Sequence, residues 1–226
     1  MQNREELLNE LLQFLAEPQP ERRSVQFPAP FLTIDHKAGV WTLTDRANKE
    51  TIPLSKEIEV ATTQTFIQSK VFTSAGVLKA ISQIVLPSER KNMLNILTGE
   101  LWDEVEIQEG DVAINSWLIP VVISTENYTK AIWEIKRTSM KAVINFIQEN
   151  NLRNINGLQL KLSLINRREG NMKKWAEPKI TQYKSLKEST DDKLLTTALE
   201  FIKEFHGFRK QYNLQAIQNN EDLPEY

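Results

Sequence analysis

The chain has 226 residues, of which 40% are hydrophobic and 26% are charged, and its formal net charge is −2 at pH 7. These values are ordinary for a globular protein, so they exclude a fibrous repeat and a chain that is disordered throughout. The sequence contains no cysteine, which excludes disulfides, thiolate metal sites and a cysteine nucleophile. At this length we expect one domain with extensions.

Signals for secretion and for membrane insertion are both lacking. Arg4, Glu5, Glu6 and Glu10 interrupt the leucines near the N-terminus, where a signal peptide would have an apolar core. No segment approaches the roughly 18 consecutive apolar residues of a membrane-spanning helix. We therefore expect a cytoplasmic protein that has no membrane partner.

The small net charge hides an uneven distribution of charged residues. Residues 130–187 contain thirteen Lys and Arg side chains against four acids, a balance of +9. Residues 1–129 and 188–226 have balances of −7 and −4. Such a division indicates a polyanionic partner for the basic segment. The alternative is that these lysines only solvate the strands and helices to which they belong.

The first predicted elements are a helix, an extended arm and a β-hairpin. Leucines recur at helical spacing over residues 3–17, and prolines punctuate residues 18–30. A helix this short needs a partner surface, so it either docks on its own domain or mediates self-association as a homo-oligomer. Alternating apolar and polar residues at 31–35 and 40–45 predict two strands joined by a tight turn.

Strands and helices then alternate along the chain. Strand patterns occur at residues 57–65, 112–124, 131–137 and 158–164. Helical patterns occur at residues 88–98, 140–150 and 191–212. Thr138 or Ser139 is the predicted cap of the second helix. A basic strand at 172–183 is the expected hairpin partner of 158–164.

These patterns predict an α+β, β-dominated fold. Residues 1–30 form an N-terminal helix and proline-rich arm, and residues 31–187 form the β-rich domain. Residues 188–212 contain a C-terminal helix. Residues 213–226 are polar and predict a disordered acidic tail.

No catalytic arrangement can be recognised in the sequence. Of the two histidines, His36 lies in a predicted turn and His206 in the last predicted helix. No glycine-rich phosphate loop, metal-ligand spacing or nucleophile motif occurs. We therefore expect a binding protein that is not an enzyme and uses no cofactor and no metal.

The basic hairpin combines the two kinds of side chain that bind single-stranded nucleic acid, because phosphates require Lys or Arg and unstacked bases stack on aromatic rings. The candidate binding residues are Lys136, Arg137, Lys161, Arg167, Arg168, Lys173, Lys174, Trp175, Lys179 and Tyr183. An unbroken strand places Lys173, Trp175, Lys179 and Tyr183 on one face, although Pro178 can break this register. The alternative is that Trp175 belongs to the core and the lysines protect an edge strand.

A resemblance to a known family follows from two stretches. A β-rich body, a capped helix after Trp133 and a basic hairpin with Lys-Lys-Trp-Ala-Glu-Pro at 173–178 resemble small OB-fold single-stranded-DNA-binding proteins of phages and other mobile elements. The C-terminus is similar to the acidic, aromatic-ended tip by which such proteins recruit partners. Its residues are Glu221, Asp222, Leu223, Pro224, Glu225 and Tyr226. The tip departs from the family pattern because Glu225 separates the proline from the terminal aromatic residue.

The resemblance covers about two thirds of the chain by the order of its elements. It implies an OB-like barrel over roughly residues 31–187 and a tail that contacts replication or repair proteins through Glu221, Asp222, Leu223, Pro224 and Tyr226. We therefore expect non-catalytic binding of single-stranded DNA or RNA, in phage or mobile-element DNA replication or recombination. Two alternatives stay open: a protein–protein adaptor or inhibitor that acts through its basic face, and an RNA-binding component.

Overall fold

The computed structural model of the chain describes residues 26–167 and 175–221, and for residues 138, 167, 175 and 215–221 it describes the backbone only. Several predicted features lie outside these ranges. They are the N-terminal helix, most of the proline-rich arm, hairpin residues Arg168, Lys173 and Lys174, and tail residues Asp222, Leu223, Pro224 and Tyr226.

Ten strands and two α-helices make up most of the described chain. The strands are β1 (Phe31–Asp35), β2 (Val40–Asp45), β3 (Glu50–Pro53), β4 (Glu57–Thr62), β5 (Phe66–Phe72), β6 (Leu78–Ile81), β7 (Val112–Ile123), β8 (Thr129–Lys136), β9 (Leu158–Arg167) and β10 (Trp175–Ser185). The α-helices are α1 (Thr138–Glu149) and α2 (Asp192–Glu221), and Pro87–Asn92, Trp102–Glu104 and Leu186–Glu188 are short 3-10 helices. The fold is mixed and strand-dominated, which confirms that part of the prediction.

All ten strands belong to one sheet. Its main path is β10-β9-β4-β7-β8-β1-β2-β3, and β5 and β6 branch from β7. The branch arises because β7 is long enough to pair first with β5, along residues 112–118, and then with β4, along residues 121–123. The contact between β1 and β8 is parallel, and the other strand pairs are antiparallel.

The sheet is open rather than closed. Within the described ranges its end strands, β3 and β10, do not pair with each other, so the predicted OB-like barrel is not confirmed. Strand β3 has only four residues, all of them exposed. A short, solvated edge strand of this kind ends a sheet without offering a template for further pairing.

One hydrophobic core lies between the sheet and α1. Helix α1 contributes Val143 and Phe146, which pack with Trp41, Trp133 and the buried leucines of β9. The indole rings of Trp41 and Trp133 meet edge to face with centroids 6.1 Å apart. The alternating leucines that predicted a half-buried strand at 158–164 therefore face this core.

A second core lies on the opposite face of the sheet, under α2. Phe201 and Phe205 of α2 pack with Phe31 of β1 and Phe66 of β5. Because both faces of the central strands are covered, β7 has a continuous apolar run instead of an alternating pattern. No helix in the described ranges has both the length and the apolar character needed to cross a bilayer.

Most predicted elements are confirmed, and their ends differ by a few residues. Strands β1 and β2 have the predicted bounds. Helix α1 begins at Thr138 after Arg137, which is the N-cap residue and makes no side-chain cap hydrogen bond, so the predicted capping by Thr138 or Ser139 is wrong. Helix α2 continues beyond the predicted end at Tyr212 to Glu221, and residues 213–221 of the predicted disordered tail are therefore helical.

The helix predicted at residues 88–98 does not form. Only Pro87–Asn92 is helical, in the form of a short 3-10 helix, and the backbone of Met93 is extended. The side chain of Asn95 accepts hydrogen bonds from the backbone N–H groups of Leu97 and Ile81, at 3.1 and 3.4 Å. Such side-chain bonds compete with helical backbone pairing, and the apolar residues of this segment reach the core from an irregular chain.

Three strands were missed by the sequence analysis: β3, β5 and β6. In β5 both faces are partly buried, and the polar residues Gln68 and Ser69 are inside. Gln68 donates a hydrogen bond to the Tyr212 hydroxyl at 2.8 Å, and Ser69 bonds the Asn115 side chain at 2.6 Å. Hydrogen bonding makes this burial tolerable, but it removes the alternation that identifies a strand.

Candidate nucleic-acid interface

The predicted basic hairpin forms, and one of its faces is open. Strands β9 and β10 pair from Leu158↔Ser185 to Arg167↔Trp175. Their leucine-bearing face packs against α1. The core under α2 contains no residue of β9 or β10 among the described residues. We call the uncovered face the hairpin outer face; its members are Gln159, Lys161, Ser163, Lys179, Gln182 and Lys184, with Glu57 and Glu59 from β4 and Glu177 from β10.

A β-bulge in β10 divides the predicted binding residues between the two faces. The register is regular through Pro178 and shifts between Ile180 and Gln182. Because the bulge adds one residue, Lys179 lies on the outer face and Tyr183 on the α1 face. The prediction that Lys179 and Tyr183 share a face is therefore wrong, and the bulge rather than Pro178 is the cause.

Tyr183 packs against α1. Its ring lies edge-on to Phe146 with centroids 5.4 Å apart, and 42% of the residue is exposed. An aromatic pair in this geometry contributes about 0.5–1.5 kcal/mol. We expect Tyr183→Leu to lower the free energy of unfolding by about 1 kcal/mol, measured by urea denaturation, and to change the affinity for single-stranded oligonucleotides less than twofold. A large loss of affinity with unchanged stability would contradict this assignment.

Positive and negative side chains are equally numerous among those that the structure describes on the hairpin outer face. Lys161, Lys179 and Lys184 are matched by Glu57, Glu59 and Glu177. Lys161 lies 3.6 Å from the carboxylate of Glu57. The described side chains of this face therefore carry no net charge, and the predicted cations Arg167, Arg168, Lys173 and Lys174 have side chains outside the description.

Two predicted cations, Lys136 and Arg137, lie at the end of β8, where β1 and β8 separate. These strands pair only at Phe31↔Ile132 and Leu32↔Trp133. Beyond these pairs a crevice of about 330 Å³ opens, lined by Thr33, Ile34, His36, Trp133, Glu134, Lys136, Arg137 and Ser139 among others. Crevices beyond the carboxyl ends of parallel strands are common ligand sites.

Helix α1 begins at this crevice. Arg137 has a φ of 50°, which turns the chain sharply from β8 into α1 and leaves its side chain exposed. The first turn of α1 contains no acid. The partial positive charge of the helix N-terminus therefore adds to the charges of Lys136 and Arg137.

The turn between β1 and β2 connects this crevice to the hairpin. His36, which lines the crevice, forms a hydrogen bond of 3.0 Å from its Nδ1 to the carbonyl oxygen of Ala176 in β10. Gly39 in the same turn has a φ of 65°, and a Cβ atom there would lie 3.1 Å from the side-chain oxygen of Asn166. Glycine thus permits both the turn and its close approach to β9.

A buried carboxylate organises the cations on the α2 side of β8. The Glu134 side chain is only 4% exposed and pairs with Arg46 and with Lys136, the latter at 3.1 Å. Burial alone would raise the pKa of Glu134, but the two neighbouring cations outweigh it and hold that pKa below its usual range. Glu134 therefore stays ionised at neutral pH and fixes two cationic side chains.

Arg46 and Lys70 belong to this cationic region and were missed by the sequence analysis. Arg46 lies in the turn between β2 and β3, with its guanidinium 3.6 Å above the ring of Phe31. Lys70 lies in β5, a strand that was not predicted. Both are isolated cations within the acidic segment 1–129, and no local pattern connects them to Lys136.

The predicted binding residues are only partly brought together. Lys136 and Arg137 share the crevice, while Lys161 and Lys179 lie on the hairpin outer face. Arg167 and Trp175 pair at the end of the described hairpin, and their side chains are outside the description. Of the predicted tail, Glu221 is the last residue of α2.

No group of three or more side chains suited to holding a metal ion occurs in residues 26–167 and 175–221. His206 bonds the Gln64 side chain at 2.9 Å and packs edge-on against Phe66.

Comparison of the chain with protein-family models, curated proteins and solved structures gives no match.

Proposed function

We propose that this protein binds single-stranded nucleic acid without catalysis, at the surface where the β1–β2 turn, the start of α1 and the base of the β9–β10 hairpin meet. The observation that carries this proposal is the hydrogen bond from His36 to Ala176. It joins the crevice that contains Lys136 and Arg137 to the hairpin that carries most of the remaining predicted cations.

Phosphate groups of the strand would contact Lys136 and Arg137 first. Both side chains are exposed, both line the crevice, and the N-terminus of α1 lies beside them. Cations and helix N-termini are the usual protein partners of phosphate oxygens. From there a strand would continue to Arg167, Arg168, Lys173 and Lys174 at the hairpin end and to Lys179 on its outer face.

Bases would stack on Trp175 in this proposal. Trp175 pairs with Arg167 at the end of the described hairpin. In the sequence it directly follows Lys173 and Lys174. Stacking of one base on an aromatic side chain is worth about 1–3 kcal/mol. Tyr183 is left out of the proposed site because it packs against α1.

A role in phage or mobile-element DNA replication, an OB-like relationship and partner recruitment by the C-terminal tail belong to the same proposal. They rest on the resemblance of the hairpin and of the tail residues Glu221, Asp222, Leu223, Pro224 and Tyr226. Binding through the crevice does not require a closed barrel, because Lys136, Arg137 and His36 are positioned by β1, β8 and α1.

The proposal is tested by fluorescence anisotropy with labelled single-stranded DNA, single-stranded RNA and duplex DNA over a salt series. We expect binding that prefers single strands and weakens with rising salt. Trp175→Ala should weaken binding about tenfold, as expected for one lost stacking contact. The matched control is Trp102→Ala, which replaces a half-buried tryptophan in the acidic segment between β6 and β7.

Each outcome of this experiment has a defined meaning. Equal affinity for DNA and RNA of the same sequence would indicate that 2′-hydroxyl groups are not read. An absence of binding to any oligonucleotide at low salt would refute the proposal and favour the adaptor alternative, in which the same cations face an acidic protein.

A further inference from the structure

A groove separate from the crevice lies on the α2 side of the sheet. It has a volume of about 570 Å³ and is bounded by the segment that precedes β1, by the turn after β2 and by β5. Its lining residues include Phe27, Pro30, Phe31, Asp45, Arg46 and Lys70. Phe27 is fixed by Phe31 and Phe208, whose ring centroids lie 4.8 and 4.7 Å away. The apolar wall of the groove is therefore already packed.

The two cations of the groove are held differently. Arg46 lies over the ring of Phe31 and pairs with Glu134, and 40% of its side chain is exposed. Lys70 is half-buried, and its ammonium group has neither an ion-pair partner nor a hydrogen-bond partner among the described residues. Burial lowers the pKa of Lys70, and the charges of Arg46 and Lys136 lower it further, while Glu134 opposes them.

The charges around the groove do not balance. Arg46, Lys70 and Lys136 lie near two carboxylates, Glu134 and Asp45, which leaves an excess of one positive charge. The Asp45 carboxylate accepts hydrogen bonds from the backbone N–H groups of Ala47 and Asn48, which fix it in the turn and leave Lys70 without an ion-pair partner in the described part of the chain. A partly buried cation without a partner is unfavourable, and an anion bound in the groove would supply that partner.

We propose that Arg46 and Lys70 bind a phosphate group in this groove. A phosphate group supplies at least one negative charge and several acceptor oxygens, so it can neutralise the excess charge and contact Arg46 and Lys70 together. The exposed edge of the Arg46 guanidinium and the Lys70 ammonium group supply the charged donors that phosphate oxygens prefer. The phosphate can belong to a small phosphorylated molecule or to a nucleic-acid strand.

This inference does not rest on the proposed nucleic-acid function, because the two cations that line the groove are not residues of the crevice; Lys136 of the crevice contributes only its charge. Arg46 and Lys70 come from the turn after β2 and from β5, whereas the crevice uses Lys136, Arg137 and His36. Binding of free phosphate by Lys70 and loss of oligonucleotide binding can therefore be observed independently.

The experiment follows thermal unfolding of the full chain in increasing inorganic phosphate, with chloride adjusted to constant ionic strength. At ten times its Kd, phosphate should raise the Tm by about 3–6 °C. Lys70→Met should abolish this response. Without phosphate, Lys70→Met should itself raise the Tm by about 2–4 °C, because it removes a desolvated cation next to two others. Lys91→Met, which replaces an exposed lysine outside the groove, should retain the phosphate response.

The source of the phosphate is identified by competition. A short oligothymidylate that displaces phosphate from the parent protein would assign the groove to the phosphodiester backbone of a strand, and failure to displace it would assign the groove to a small phosphorylated ligand. Two results would overturn the inference. One is an unchanged phosphate response in Lys70→Met; the other is a response lost in Lys136→Gln/Arg137→Gln but kept in Lys70→Met.

Discussion

The double substitution Lys136→Gln/Arg137→Gln should lower the affinity for single-stranded DNA about tenfold or more at low salt, by about 1 kcal/mol for each lost phosphate contact. The reason is that both side chains line the crevice at the start of α1 and are exposed. The slope of log K against log salt should fall by about 1.4, which is the contribution of two phosphate contacts to a single strand. Anisotropy titrations at four salt concentrations give both quantities.

The matched control for this prediction is Lys91→Gln/Lys203→Gln, which removes the same charge from two exposed positions away from the crevice. It should leave the salt slope within error of the parent protein. Glutamine at position 137 keeps a side chain at the same positive φ, so the backbone strain of the parent is retained. Equal losses in both double variants would mean that the net charge, and not the crevice, governs binding.

Glu134→Gln should lower the free energy of unfolding at pH 7 by about 1–3 kcal/mol. Its buried carboxylate accepts charge-assisted hydrogen bonds from Arg46 and Lys136, and such bonds are worth more than neutral ones. The contribution stays in this range because the two cations are 40% and 45% exposed and therefore partly solvated. Urea denaturation of the parent and of the variant measures the difference.

The stability contributed by Glu134 should depend on pH in a defined direction. Its pKa in the folded protein lies below the usual range, against the effect of burial, because Arg46 and Lys136 lie close to it. A depressed folded pKa gives stability that is present above the unfolded pKa and lost as the pH falls through the folded pKa. The difference between parent and Glu134→Gln should therefore shrink between pH 5 and pH 2.

Glu57→Gln provides the control for this experiment, because the Glu57 side chain is 62% exposed and lies 3.6 Å from Lys161. An exposed pair of this kind should change stability by less than about 1 kcal/mol. If Glu134→Gln costs no more than Glu57→Gln, or if its cost is the same at pH 7 and pH 2, Glu134 does not organise the cations around it.

Glu134 also connects the two proposed sites. It holds Arg46, which lines the groove, and Lys136, which lines the crevice. We therefore expect Glu134→Gln to shift phosphate binding and oligonucleotide binding in the same direction, whereas Lys70→Met should reduce phosphate binding more than Lys136→Gln/Arg137→Gln does. Parallel changes in the two affinities would show that one electrostatic framework serves both sites, and a change in only one affinity would show that the two ligands bind independently.

Two kinds of element could be predicted from the sequence alone: strands in which apolar and polar residues alternate, and helices with a single apolar stripe. Strands β1, β2 and β9 show period-two alternation, and the stripe of α2 lies at helical spacing. These patterns are local, since a strand or helix with one buried face repeats its apolar residues at its own period. The uneven distribution of charge and the lack of cysteine are likewise properties of the sequence.

The missed elements lack such a signal for a physical reason. Strand β5 is covered by neighbours on both faces and buries Gln68 and Ser69 in hydrogen bonds with residues distant in sequence. At residues 88–98 the apolar residues have helical spacing, but the side chain of Asn95 accepts hydrogen bonds from the backbone N–H groups of Ile81 and Leu97 in place of helical pairing. In both places the tertiary partner of a polar side chain decides the local structure.

The sequence by itself determined a strand-dominated fold with a basic hairpin and concentrated the excess of positive charge in residues 130–187. Only the tertiary structure decided which of them act together. A single extra residue in β10 moves Tyr183 to the face opposite Lys179, and pairing with Glu57 neutralises Lys161. Arg46 and Lys70 join Lys136 through a buried carboxylate. Register and long-range pairing are properties of the folded chain, and no local pattern encodes them.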